Sequence, residues 1–172
     1  MIRFLAASLA PLLLTAAAGA QSVANPLYSA WVRFETGATS RYTGVSRTLG
    51  VETTIETTMK LIEKAGDRVV IEVSRKVTSG DDTVEESPRK EEIRAMIAQE
   101  AAMVPAGEEP ATAGGKEYPC RVYQQQRKEG DLLLLSRFWL SDEVPGGIVK
   151  IDSKVEGPIA INTLLELKSF SR

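Results

Sequence analysis

From Val51 onward, apolar and polar residues alternate with a period of two along most of this chain. That is the pattern of strands with one face on a core and the other in water. Val69, Ile71, Val73 and Val77 fall on one side of such a strand, and Glu72, Ser74, Lys76 and Thr78 on the other. A partner strand runs through Val51, Thr53, Ile55, Thr57, Met59 and Leu61, and Ala65-Gly66-Asp67 supplies the turn between them. Thr53, Thr54, Thr57 and Thr58 support strand over helix, because branching at Cβ restricts χ1 and suits a pleated surface. A second hairpin is predicted from Lys116 to Arg127, with Tyr118, Cys120 and Val122 on one face, through Glu129-Gly130-Asp131 into Leu132 to Leu140. A third joins Ile148 to Val155, where Val149, Ile151 and Val155 group together, to Ile161 to Phe170 through Glu156-Gly157-Pro158. Ile161, Leu165 and Leu167 align on that last strand. Nearer the start, Tyr28 to Glu35 reads as an edge or closing strand, with Trp31 and Arg33 alternating against Val32 and Phe34.

One segment departs from the alternation. Ser87-Pro88 offers an N-cap and a first-turn proline, Glu91 and Glu92 lie where a helix dipole favours anions, and Ile93, Met96, Ile97, Ala101 and Val104 share a helical face before Pro105. Pro88 to Met103 is therefore expected to be helical. The competing reading is an extended edge segment through Glu91, Ile93 and Ala95. Pro105 to Gly115, with Gly107, Pro110, Gly114 and Gly115, is expected to be a loop or flap.

Leu132 to Leu140 is apolar on both faces: Leu132, Leu134, Phe138 and Leu140 on one, Leu133, Leu135 and Trp139 on the other. A central strand covered above and below has this pattern. So does a curved sheet that offers one face to an apolar ligand with a helix as partial lid. On the second reading Leu133, Leu135 and Trp139 are the candidate ligand-binding residues.

Composition narrows the chemistry. The chain has 172 residues, one cysteine and no histidine. Without histidine it lacks the usual zinc ligand, the usual general base near neutral pH, and the Ser-His-Asp and Cys-His nucleophile systems. A lone Cys120 cannot form an internal disulfide, and in its setting it reads as a small apolar residue on a strand. Ser87-Pro88-Arg89-Lys90 matches an S-x-x-K motif, but Ser141-Asp142-Glu143 is not S-D-N and no K-T-G follows. The acidic doublets, among them Asp81-Asp82, Glu91-Glu92 and Glu108-Glu109, place neighbours on opposite faces of a strand and lack calcium-loop spacing. Pro145-Gly146-Gly147 lacks the spacing of a phosphate-binding loop and reads as a turn. Gln124-Gln125-Gln126, with Arg121, Arg127 and Lys128, reads as a solvated polar surface. No catalytic residue, metal or cofactor is expected.

At the start of the chain, Arg3 precedes an apolar run from Phe4 to Ala18, and Ala18-Gly19-Ala20 offers a small-x-small cleavage site before Gln21. The run is short for a membrane span and is followed by polar sequence, so residues 1–20 read as a signal peptide that leaves no transmembrane span. Cys120 lies far from that site, so it is no lipoprotein anchor. Removing Arg3 leaves 20 basic residues against 23 acidic ones, a net charge of −3. The interspersed signs do not suit nucleic acid. Residues 21–172 suit one domain, periplasmic or secreted.

The stretch Phe138-Trp139-Leu140-Ser141-Asp142, followed by Val144-Pro145-Gly146-Gly147-Ile148-Val149-Lys150-Ile151, resembles the last hairpin of exported bacterial proteins with a LolA-like half-barrel. An aromatic strand ends in a short acidic loop, then a proline, then a strand carrying Val-Lys; the glycine pair departs from the usual loop. It is also similar to a hairpin of small exported bacterial proteins of no assigned function. The resemblance implies a curved antiparallel sheet whose concave side receives acyl chains or another apolar guest, with the helix in or over the concavity. The expectation is thus a mainly β protein of α+β type, a curved antiparallel sheet or half-barrel of hairpins with one helix. Its expected role is non-enzymatic binding of a lipid or other apolar small molecule. The alternative is an interaction module that docks an envelope protein along a sheet edge.

Overall fold

A computed structural model describes residues 21–172; the proposed signal peptide lies outside the described residues. The chain runs through β1 (Ser22–Ala24), helix α1 (Pro26–Val32), β2 (Thr39–Thr48), β3 (Val51–Ala65), β4 (Arg68–Ser79), β5 (Asp82–Arg94) and β6 (Met96–Ala98). A 3-10 turn at Gln99–Ala101 leads on to β7 (Val104–Ala113), β8 (Lys116–Glu129), β9 (Leu132–Leu140), β10 (Ile148–Glu156) and β11 (Ile161–Ser171). Nine strands form one antiparallel sheet in the order β5-β4-β3-β2-β11-β10-β9-β8-β7, while β1 and β6 pair as a separate ribbon.

The edges of the sheet, β5 and β7, are joined by only the residues between Arg94 and Val104. A flat nine-stranded sheet would separate its edges by about 38 Å, at ~4.8 Å per interval. Ten residue steps span at most about 35 Å, and a 3-10 turn shortens that. The connection therefore requires the sheet to curl, and the connecting segment crosses its inner side, where the Gln125 side-chain amide donates to the Ala101 carbonyl at 2.7 Å. The sheet stays open, its ends not hydrogen-bonded to each other.

Helix α1 fills one end of the curl. Asn25 caps it, its Oδ1 accepting from the Leu27 amide at 3.0 Å, and Pro26 takes the first turn, where a missing N–H costs nothing. Leu27, Ala30, Trp31 and Phe34 recur at helical spacing and are buried with Leu61, Val69, Ile71, Val73 and Ile93 of the sheet. The Trp31 ring lies against Gly146, where an added Cβ would sit 2.6 Å from the ring, and a Cβ at Gly147 would sit 2.8 Å from Ala30 Cβ. Both glycines have φ near +77°, so the pair provides the turn and the close approach together. Among the described residues no helix is long and apolar enough to cross a membrane.

The mainly β architecture of hairpins stands, and the turns at Gly66, Gly130 and Gly157 fall where expected. Three local expectations are corrected. Tyr28 to Glu35 is not a strand: its apolar residues follow a period near 3.6, and the Asn25-Pro26 cap starts a helix. Pro88 to Met103 is not a helix. It is the second half of β5, then β6 and the 3-10 turn, because β4 offers a full partner from Ser79↔Asp82 to Arg68↔Arg94. Cross-strand ion pairs Lys76–Glu85 (3.9 Å) and Arg68–Glu92 (2.9 Å) reinforce that ladder, and Pro88 is tolerated on an edge strand beside a bulge. Pro105 to Gly115 is mostly β7, again an edge strand with prolines and a bulge at Gly107. Strand β2 has no counterpart among the expected elements.

Candidate ligand face

Beyond α1 the inner face continues on β9, β10, β11, β2 and β3 as three rows fixed by register. The first is Phe138–Ile151–Leu165–Gly44–Ile55, extended on β4 and β5 by Val77 and Val84. The second is Ser136–Ser153–Thr163–Ser46–Thr53, and the third Leu134–Val155–Ile161–Thr48–Val51. Alternation along each strand puts all three on the side that carries α1. These fifteen positions contain no charged residue, in a chain that is 26% charged.

Burial falls off along this face. Phe138, Ile151 and Leu165 are buried, Leu134, Val155 and Ile161 are half-buried, and Leu132 and Val51 reach 41% and 50% exposure. Val84 is 61% exposed, and Leu49, at the β2–β3 turn, 78%. The four turns at this end, between β2 and β3, β4 and β5, β8 and β9, and β10 and β11, lie opposite the end occupied by α1. Together they leave an apolar surface open to solvent.

Hydroxyls hold the middle row. Ser136 Oγ and Ser153 Oγ are 2.9 Å apart, and Thr163 Oγ1 donates to Ser46 Oγ at 3.1 Å. On β2 to β5 a more polar row, Tyr42–Thr57–Arg75–Glu86 in register, lies between these rows and the α1 end, while Leu167 continues it on β11 as part of the shared core. The Tyr42 hydroxyl and Arg75 Nε are buried without hydrogen-bond partners. Burial pushes the Tyr42 pKa up and the Arg75 pKa down, the latter opposed by Glu86 at 3.8 Å.

Leu133, Leu135 and Trp139 lie on the other side of β9. Leu133 pairs with Lys128 and Glu156, and Leu135 with Gln126 and Lys154. Trp139, 7% exposed, donates its indole N–H to Glu109 Oε1 at 2.5 Å. The Arg137 guanidinium and the Lys150 ammonium lie 4.8 and 5.1 Å from its ring centroid, so cations and a carboxylate cover this indole rather than an apolar guest. Two shallow depressions, of about 150 and 300 Å³, lie on this outer side beside Thr43 and Val45 and beside Arg41 and Lys168; none of Leu133, Leu135 and Trp139 lines either. The sequence marked β9 as two-faced. Which face stays open depends on α1 and on the partners across the ladder, and β9 alone carries no signal of that.

The other sequence candidates resolve as follows. Ser87 and Lys90 stand on β5, so the helical turn that an S-x-x-K pair needs is absent. Cys120 is buried, its Sγ 3.4 Å from the Tyr118 carbonyl, and burial pushes its thiol up to about 11. Asp142 bridges Arg33 and Arg121 at 2.6 and 2.7 Å, tying the end of α1 to the loop between β9 and β10. Among the described residues no three acidic or cysteine side chains gather as a metal site would require. Comparison with models of known families and with characterised proteins finds no match to this chain.

Proposed function

We propose that this protein is a non-enzymatic, exported binder of an apolar guest such as a lipid acyl chain, held on the inner face of β9, β10, β11, β2 and β3. One observation carries the reading: fifteen register-linked positions without a charge run from the buried Phe138, Ile151 and Leu165 out to half-buried and exposed apolar side chains at Leu134, Val155, Ile161 and Val51, with no charged residue added where burial gives out. Exposed apolar area that is contiguous, on a concave support, is the usual mark of a surface that meets something apolar. The absence of histidine argues against the common hydrolytic systems, and the apolar start of the chain supports export to the periplasm or medium. Sheet-edge docking of an envelope protein is less favoured, since Pro88 interrupts β5 and Pro105, Gly107 and Pro110 interrupt β7.

The test is displacement of the fluorescent apolar probe N-phenyl-1-naphthylamine from the purified protein, beside native mass spectrometry of protein taken from its own envelope. Saturable probe binding is expected, and Ile161→Asp, which puts a charge in the third row, should weaken it more than tenfold with the fold retained. Unchanged probe binding in Ile161→Asp, or none in the parent, overturns the reading.

A further inference from the structure

The middle row of the inner face carries more hydrogen-bond donors than it uses. Each hydroxyl has one hydrogen and two lone pairs. In the pair Ser136–Ser153 one hydrogen closes the 2.9 Å contact and the other remains, whichever residue donates. In the second pair Thr163 donates to Ser46, so the Ser46 hydrogen remains. The two hydrogens left by these pairs sit on one row that crosses β9, β10, β11 and β2, strands about 4.8 Å apart, and the row ends on β3 at a third, that of Thr53. The surroundings select the acceptor. On β9, β10, β11, β2 and β3 the rows on either side are apolar apart from Thr48 and carry no lysine, arginine or carboxylate; the nearest inner-face cation is Arg127 of β8, opposite Leu134 and already paired with Glu129 at 2.8 Å. A carboxylate or phosphate placed there would be desolvated, with the nearest cation, Arg127, already engaged by Glu129. An ester brings acceptor oxygens, no donor and no charge, with hydrocarbon on the side of its linkage.

We infer that the hydroxyl row Ser136–Ser153–Thr163–Ser46 is the recognition element of this face and that it selects acyl esters over bare hydrocarbon and over free fatty acids. This deepens the apolar-guest reading and rests on it.

The experiment measures displacement of N-phenyl-1-naphthylamine from the protein (residues 21–172) by methyl tetradecanoate, tetradecane and tetradecanoate. Two neutral hydrogen bonds, each worth a factor of a few, predict that the ester displaces the probe at about tenfold lower concentration than tetradecane. Tetradecanoate should be weaker than the ester at neutral pH. A variant with Ser46→Ala, Ser136→Ala, Ser153→Ala and Thr163→Val removes both pairs whole and leaves no orphaned partner. It should bring ester and alkane within about twofold and leave tetradecane unchanged. The two double variants, Ser136→Ala with Ser153→Ala and Ser46→Ala with Thr163→Val, should each lose about threefold of the ester preference, and they carry the test if the fourfold variant does not fold. An ester preference that survives these changes, a preference for tetradecanoate, or equal displacement by ester and alkane in the parent overturns the inference while leaving an apolar site in place. Failure of all three compounds to displace the probe removes the apolar-guest reading as well.

Discussion

The two faces of β9, β10, β11, β2 and β3 are built from the same strands and differ in charge almost completely. The outer face carries Arg137, Asp152, Lys154, Arg47 and Glu52 within the span where the inner face carries none. Another outer row runs Trp139–Lys150–Glu166–Thr43–Glu56–Lys76–Glu85, with Lys150–Glu166 at 3.8 Å. Alternating charges across a ladder make a solvated surface, in which Leu133 and Leu135 are isolated apolar side chains that need no further account. The inner face divides again. Near α1 the lack of charge reflects packing, since Trp31, Leu61 and Val69 are at most 1% exposed. Beyond the Tyr42–Arg75 seam the same lack persists past the buried Phe138, Ile151 and Leu165 into the rows where burial falls away. The outermost rows of the inner face, neither core nor charged, are what the apolar-guest proposal rests on.

The largest effect should separate the two halves of the inner face. Trp31→Ala should cost about 3–5 kcal/mol of unfolding free energy, because the ring is fully buried against Gly146 and the helix cannot collapse into the gap. Ile161→Ala, half-buried beyond the seam, should cost about 1 kcal/mol or less. Urea denaturation of both variants measures the difference. Equal losses would make the outer end of this face ordinary core.

An intermediate effect sharpens the contrast between the faces. Trp139→Phe keeps a ring beneath Arg137 and Lys150 but removes the indole donor to Glu109, and should cost about 0.5–1.5 kcal/mol. The same residue reports on where a guest sits. In Trp31→Phe, whose remaining tryptophan is Trp139, a saturating apolar ligand should leave emission unchanged. A saturable shift would transfer the binding surface to the outer face.

These distinctions were unevenly legible in the sequence. The hairpins around Gly66, Gly130 and Gly157 could be read because Val69, Ile71 and Val73, or Ile161, Leu165 and Leu167, print the burial of one face directly onto the chain. Strand β2 could not: its inward positions past Tyr42 are Gly44, Ser46 and Thr48, so its alternation is of small uncharged against larger side chains and makes no apolar signal. The feature that hid β2 is the one that marks the candidate site. Helix α1 was missed because Val32 and Phe34 imitate alternation over a few residues, although Leu27, Ala30, Trp31 and Phe34 already had helical spacing behind an Asn-Pro cap. In β5 the local helix signals at Ser87-Pro88 and Glu91-Glu92 are real but lose to pairing with β4 along eleven of its thirteen residues and to its ion pairs. Which of Leu132 with Leu134 and Leu133 with Leu135 lies on the side of α1 was beyond any reading of β9, since it depends on Val155, Ile161 and Lys154 across the ladder.

The smallest expected effect tests whether charge in this molecule does more than solvate. Asp142, its side chain 55% exposed, joins Arg33 at the end of α1 to Arg121 of β8. The hydrogen bond from Arg33, with Arg121 adding to it, holds its carboxyl below the ordinary aspartate range, against a smaller opposing contribution from burial. A carboxyl whose folded pKa is depressed stabilises the fold above the unfolded value of ~3.9, and that contribution disappears as pH falls through the lower folded value. Exposure and salt screen the pair, so Asp142→Asn should cost less than about 1 kcal/mol at pH 7. Urea denaturation should find the difference from the parent shrinking in 1 M salt and vanishing as the pH is lowered past the aspartate range. A loss several times larger, insensitive to salt, would mean that the arginine bridge holds α1 in place, and the solvated charges could no longer be set apart from the packed helix.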